Sequence, residues 1–279
     1  RGSFTISRGA VSAVELVVVE IETQGTVGRG ECRPYPRYGE SVRQTLAAIE
    51  AVRERVEAGC DRDELATLLP AGAARNALDC ALWDLEAKTA GEPVWRLAGL
   101  PEPRPLEVSY TLSLGPPEQM AEAALEAAGR PVLKLKLGGK GDIARVAAVR
   151  AAAPEARLIV DANEAWTPRV YKRVAPALAE MGVLLIEQPF PAKEDAWLDG
   201  LPRPVPVCAD ESCHDSASLG RLAVDRRLAL VEERAAELGL LVAQDDALGA
   251  VLRGGERRRQ GVRLSGIAGA AVTTAQIWW

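Results

Sequence analysis

VLKLKL at 132–137, RLIVDAN at 157–163, GVLLIEQP at 182–189 and VPVCADES at 205–212 decide the fold of this chain. Each is a short apolar run, and helical spacing fills the gaps, through Val146 and Val149 and again from Val170 to Leu178. Short buried strands alternating with helices imply parallel βαβ units. Every run also ends on a charge: Lys136, Asp161, Glu187 and Asp210, spaced by roughly 25 residues, one βα unit each. A parallel strand covered on both faces stays apolar to its end, so a charge there costs free energy unless it is used. In a βα barrel the carboxyl-terminal rim is where catalytic groups sit. Solvated loop residues just past the strands would explain one such charge; four consecutive units with the same arrangement argue for a rim site.

Working outward, the N-terminal third reads as α+β. Val14 to Glu22 (VELVVVEIE) is strand-like, and Gly25, Gly28 and Gly30 allow a reversal into a second strand. Ser41 to Glu57 places Val42, Leu46, Ile49 and Val52 on one helical face. A second helix over Arg75 to Lys88 stops at Gly91 and Pro93. Pro101 to Pro105 reads as a linker. The predicted organisation is an α+β capping domain over 1–104, then a modified (β/α) TIM-type barrel over 105–279, atypical after about residue 220.

Composition narrows the function classes. A chain of 279 residues, 48% apolar and 26% charged, can bury a globular core. Its net charge of −5 leaves no broad basic face for nucleic acid. No apolar run approaches the roughly 20 residues that cross a bilayer. Five cysteines without a CxxC pair fit reduced thiols and a cytoplasmic location. Cys208 and Cys213 match no common zinc spacing and read as core thiols. His214 lacks a partner Ser or Cys arrangement and reads as a rim residue. The loop Gly138–Gly141 lacks the phosphate-loop pattern and reads as a βα turn. The tryptophans read as core or cap packing.

The rim residues suggest a chemistry. Asp161, Glu187 and Asp210 converge from adjacent strands, and oxygen-only ligands suit Mg²⁺ or Mn²⁺ with positions left for substrate oxygens. Without a metal, three carboxylates would repel and at least one would be pushed toward protonation. Asn163 and Glu211 could support that site from behind. Lys134 and Lys136 alternate along one strand, so both face the barrel interior. A buried lysine beside another cation and near a bound metal is driven toward the neutral form, which makes it a base. A lysine base with Mg²⁺ suits removal of a proton next to a carboxylate.

The KxK, DAN, EQP and ADES motifs in this order resemble the muconate-lactonizing branch of the enolase superfamily. Within that branch, ISRG (6–9), GRGECRPYPRYGES (28–41), AGAARNALDCALWDLEAK (71–88) and ADESCH (209–214) resemble the bacterial dipeptide epimerases of the L-Ala-D/L-Glu type. The resemblance runs from about Phe4 to Leu219. It implies Mg²⁺-dependent epimerisation of a dipeptide by α-proton abstraction through an enediolate, with Lys136 as acid/base and Lys134 beside it. It further implies Asp161, Glu187 and Asp210 as Mg²⁺ ligands and Thr111 as a substrate contact. Arg8, in a mobile loop, would pair with a substrate carboxylate, against the plainer alternative of a surface charge. A homo-oligomer is left open. An o-succinylbenzoate synthase, a cycloisomerase, or a metal-binding homologue without turnover are the alternatives.

The chain departs from the family pattern downstream. The family's next strand carries a second lysine in an IKLDKTGG-like motif; here Arg226 to Leu240 reads as an amphipathic helix, and no lysine follows Lys193. Asp245 and Asp246 are adjacent and would face opposite ways on a strand, unlike the family's DxD pair. Arg257, Arg258, Arg259, Trp278 and Trp279 match nothing in the family pattern.

Overall fold

The computed structural model describes residues 4–214, residues 218 and 222, and the backbone of residues 263–273. The described residues divide into two compact units, one of residues 13–104 with 263–273, the other of residues 4–12 with 105–214. Residues 4–12 thus group with 105–214, where the expected division was 1–104 and 105–279. The expected helix at 226–240, the Asp245–Asp246 pair, the arginine run at 257–259 and the closing tryptophans lie outside the described residues.

The structure opens with a hairpin, β1 (Phe4–Ile6) and β2 (Gly9–Val11), that belongs to the barrel unit. The other unit then begins with β3 (Ala13–Thr23) and β4 (Thr26–Cys32), an antiparallel pair. Along β3 the residues alternate, so Val17, Val19 and Ile21 are fully buried while Leu16, Val18 and Glu20 are not. The turn between the strands uses Gln24 and Gly25, both at positive φ, which matches the twist of a two-residue hairpin.

Gly28 and Gly30 therefore serve something other than the reversal. They lie inside β4, where α4 (Ala73–Ala90) crosses, and a Cβ on either would collide with the Ala81 or Ala77 carbonyl. Strand period two meets helix period four at these small residues, and backbone packs on backbone. Helices α1 (Val42–Ala51), α2 (Arg53–Glu57), α3 (Arg62–Leu68), α4 (Ala73–Ala90) and α5 (Val94–Leu97) follow. The expected single helix over 41–57 is broken at Val52, which leaves helical geometry, and Ser41 caps α1 by accepting from Gln44 N at 3.3 Å. Ile49, Val56, Leu65, Leu78 and Leu85 close this core.

In the barrel unit, β5 (Tyr110–Leu112), α6 (Pro117–Glu126), β6 (Val132–Lys136), α7 (Asp142–Ala152), β7 (Arg157–Asp161), α8 (Pro168–Glu180), β8 (Val183–Glu187) and β9 (Val207–Cys208) alternate as expected. The five strands are parallel and lie in chain order. Leu133, Leu135, Leu158, Val160 and Ile186 face outward into a core shared with Val146, Val149, Tyr171, Val174 and Leu178 of the helices. The opposite face carries a small cluster of Val132, Ile159, Leu185 and Cys208, with the charged residues above it. A last strand, β10 (Arg263–Thr273), pairs antiparallel with β3 from Arg263↔Glu22 to Thr273↔Ala13, so this segment joins the first unit's sheet rather than the barrel.

The turn after β6 is pinned by a buried carboxylate. Asp142 accepts from Gly138 N (3.0 Å), Gly139 N (2.6 Å) and Trp166 Nε1 (2.8 Å) and pairs with Arg145 (2.9 Å). It ties the loop following Lys136 to the loop following Asp161.

Two outcomes test this account. Gly30→Ala should lower the unfolding free energy by roughly 1–3 kcal/mol in urea titration, since backbone rather than a flexible side chain must yield; an unchanged midpoint would refute the close approach. Asp142→Ala should cost about 3 kcal/mol by the same measurement, because three donors, two of them buried, lose their charged acceptor.

Candidate active site

Parallel pairing brings the rim charges together. Lys136 lies in register with Asp161, and Asp161 with Glu187, one residue per strand. Glu187 faces Cys208 in the ladder, and Asp210 follows two residues beyond. One oxygen from each of Asp161, Glu187 and Asp210 can be chosen so that all lie within 4.8 Å of one another. Lys134 sits one layer below and pairs in register with Thr111, so Thr111 shares the interior face but stands below the carboxylates.

The lysines sit among those carboxylates. Lys136 Nζ is 2.5 Å from Asp161 Oδ2, and Lys134 Nζ lies 2.7 Å from Glu187 Oε1 and 3.1 Å from Asp161 Oδ2. Burial opposes the charge on Lys134, but Glu187, Asp161 and Asp210 outweigh it and hold the ammonium well above the ordinary lysine value. The carboxylates around it set this direction; the depressed lysine expected from the sequence was one standing near a bound metal. Burial likewise opposes the charge on Asp161, yet the two lysines hold it below the usual range. Glu187 is pushed up to about 8 by burial and by Asp161, and Asp210 to about 7 by burial, Glu211 and Asp161. Lys134 and Lys136 cannot neutralise three carboxylates, so two of the acids are driven toward protonation, as the sequence implied.

That imbalance favours a bound cation. The donors are all carboxylate oxygens, and Glu187 Oε2 is buried with no hydrogen-bond partner. A rigid, oxygen-only, net-negative cluster with an unused acceptor suits a hard divalent ion.

The remaining residues surround the cluster. Asn163 is buried beyond β7, and its backbone N–H donates to Asp161 Oδ1 at 2.8 Å, so its main chain supports the carboxylate. Glu211 is buried and its carboxylate is held above the usual range by burial and by Asp161, with Arg8 opposing. Arg8, at the tip of the β1–β2 hairpin, donates to Asn163 O (3.1 Å) and Glu164 Oε2 (3.1 Å) and forms an ion pair with Glu211 Oε1 (2.7 Å). It is thus a fastened part of the rim, distinct from the plain surface charge considered above. Ser7 Oγ also donates to Asn163 O (2.9 Å), and the Phe4 ring centroid lies 5.9 Å from Lys136 Nζ.

Glu164, Phe4 and Gln188 escaped the sequence reading. Gln188 is fully buried immediately after Glu187, and a polar residue there needs internal partners, which was the available signal. Backbone geometry carries another trace: of the four non-glycine residues at positive φ among the described residues, Asn163, Glu164 and Gln188 flank this cluster. Such conformations cost roughly 1–3 kcal/mol each and persist where the surroundings enforce them. Cys208 is buried and Cys213 half-buried, as core thiols would be, and His214 is exposed, with its backbone N–H bonded to Ser218 Oγ at 2.9 Å. No helix among the described residues is long and apolar enough to cross a membrane.

Comparison with known proteins agrees with this geometry. Residues 1–99 match the family model "Mandelate racemase / muconate lactonizing enzyme, N-terminal domain", and residues 118–241 match "Enolase C-terminal domain-like". L-Ala-D/L-Glu epimerase of Escherichia coli (strain K12) is 47% identical over 221 residues, covering 78% of this chain and 69% of that protein. An enolase family member from Agrobacterium tumefaciens with homology to dipeptide epimerases, solved with sodium and L-Ala-L-Glu, superposes with a TM-score of 0.79 at 46% identity, over 86% of this chain and 78% of that one. Dipeptide epimerase from Enterococcus faecalis V583, complexed with Mg and L-Leu-L-Tyr, gives a TM-score of 0.74 at 32% identity, over 82% and 69%. The chain spans about two thirds of the length of the curated relatives it matches. On sequence and fold alike, the chain belongs to the mandelate racemase/muconate lactonizing enzyme family of the enolase superfamily.

Proposed function

We propose that this chain is an isomerase that epimerises a dipeptide of the L-Ala-D/L-Glu type, with Mg²⁺ held by Asp161, Glu187 and Asp210. The observation that carries the reading is the buried carboxylate trio with two lysine ammonium groups in contact with it. Mn²⁺ meets the same donor requirements. Bound there, the ion would supply the positive charge that lets a substrate carboxylate accept electron density as the neighbouring C–H bond breaks.

The chain's own residues do the rest. Lys136 Nζ, at the rim, takes the α-proton in its neutral form and returns one in its charged form. Occupation of the trio by a cation would release Lys136 and Lys134 from the carboxylates, removing the contacts that hold the Lys134 ammonium charged. Lys134, one layer deeper, would hold the substrate carboxylate, and Thr111 beside it in register lines the same face. Asn163 and Glu211 keep Asp161 and the hairpin in place. Arg8 can meet a substrate side-chain carboxylate by exchanging partners with Glu164 or Glu211, which would favour an acidic second residue.

Inversion also requires a proton delivered to the opposite face of the α-carbon. Among the described residues, Lys134 and Lys136 are the lysines that contact the trio, both from one strand, and no lysine follows Lys193 in the sequence. This favours a second reading, in which exchange occurs on one face without inversion. Incubation with L-Ala-L-Glu and Mg²⁺ in D₂O, followed by NMR, separates the two. Epimerisation predicts α-deuteration together with the second diastereomer. Deuteration without it would leave a one-face site, and no deuteration with Mg²⁺ still bound would leave a metal-binding homologue.

Two substitutions sharpen the assignment. Lys136→Met should slow α-deuteration by about 10²–10⁴-fold while leaving Mn²⁺ binding in place. Asp161→Asn, Glu187→Gln and Asp210→Asn should each weaken Mn²⁺ binding, measured calorimetrically, by more than the roughly 100-fold ceiling of a supporting residue. Binding unaffected by all three would end the metal assignment.

A further inference from the structure

The ladder ends too early to hold one of the three acids. Asp161 and Glu187 are themselves paired ladder residues, so the sheet fixes them. Strand β9 has two residues, its last pair is Glu187↔Cys208, and Asp210 lies beyond it. From the hydrogen bonds that replace the ladder there, we infer that Gln188 is a positioning residue that aims Asp210 at the carboxylate trio. The inference rests on the proposed role of Asp210 in holding a divalent cation.

The Gln188 carboxamide is used at both ends. Its Oε1 accepts from the backbone N–H of Asp210 (2.9 Å) and of Ser212 (3.1 Å). Its Nε2 donates to Phe190 O (2.9 Å) and Ser212 Oγ (2.8 Å), with Asp195 Oδ1 at 3.3 Å. Ser212 Oγ in turn donates to Asp195 Oδ1 at 2.9 Å. The Gln188 backbone N–H reaches Cys208 O at 2.9 Å, so main chain and side chain grip the same segment from both sides of Ala209. A carboxamide offers an acceptor to two amides and two N–H donors, here shared among a carbonyl, a hydroxyl and a more distant carboxylate. A glutamate would lose the donors, and an apolar residue of the same length would strand two part-buried N–H groups. The side chain is fully buried and its φ is +33°, a conformation the surrounding bonds must enforce. Residues that orient a ligand from behind usually change metal affinity by about 10–100-fold when lost.

Mn²⁺ titration of the full chain, followed by electron paramagnetic resonance of the free ion, tests this in wild type, Gln188→Met, Asp210→Asn and the double variant. Gln188→Met should weaken binding about 10–100-fold, and the double variant should bind no more weakly than Asp210→Asn alone, because the glutamine acts through that aspartate. Normal Mn²⁺ affinity in a Gln188→Met protein that only melts earlier would overturn the inference and reduce Gln188 to packing. Multiplying effects in the double variant would overturn it as well. Should Gln188→Met not fold, Ser212→Ala removes one anchor of the carboxamide; a loss of at least about threefold in affinity supports the inference, and none refutes it. Wild type that fails to bind Mn²⁺, or an Asp210→Asn variant that binds it normally, would instead sink the metal reading itself and the inference with it.

Discussion

Two ammonium groups and three carboxylates are confined to one buried rim, and this unequal charge balance governs the barrel unit. Lys134 and Lys136 reach Asp161 and Glu187 directly, yet Asp161 takes most of the stabilisation, and Glu187 and Asp210 are left partly protonated near neutrality. Such an arrangement adds little to stability, because desolvation offsets most of the attraction between buried charges. A divalent ion held there, as proposed above, would satisfy the acids and free the lysines together. The proton chemistry of the site is therefore inseparable from its occupancy.

Holding like charges together requires a rigid frame. The sheet sets two of the acids by register, the Asp142 carboxylate locks the turn beyond Lys136 to Trp166, and the Gln188 carboxamide spans the segment that carries Asp210. Arg8 closes the edge by joining the hairpin to Asn163, Glu164 and Glu211. Each fastening is a charged or bidentate group meeting backbone atoms, the kind of contact that fixes direction as well as distance. Left-handed backbone at Asn163, Glu164 and Gln188 shows where local preference yields to this frame.

The family relation gives these features a common purpose. A relative 47% identical to this chain is a dipeptide epimerase, and the matched stretches include every strand that bears a rim charge. The backbone strand 263–273, however, lies against β3 of the first unit, outside the matched stretches.

Much of this was legible in the amino-acid order. Period-two and helical patterns located the elements of 13–57 and 132–187 to within a few residues, and the repeated strand-end charges named Lys136, Asp161, Glu187 and Asp210 before any coordinates. Local periodicity suffices for that because it reports which face of a segment meets the core. Contacts between segments distant in sequence were not legible. Nothing in GRGE marks Gly28 and Gly30 for α4 rather than for a turn, nothing in ISRG sends Arg8 to Glu164 and Glu211, and the direction of the Lys134 shift depends on which charges surround it. By itself the sequence determined the strands, the helices and the kind of chemistry at the rim; only the tertiary structure decided who neutralises whom, since electrostatic and hydrogen-bond energies depend on distances that chain order does not contain.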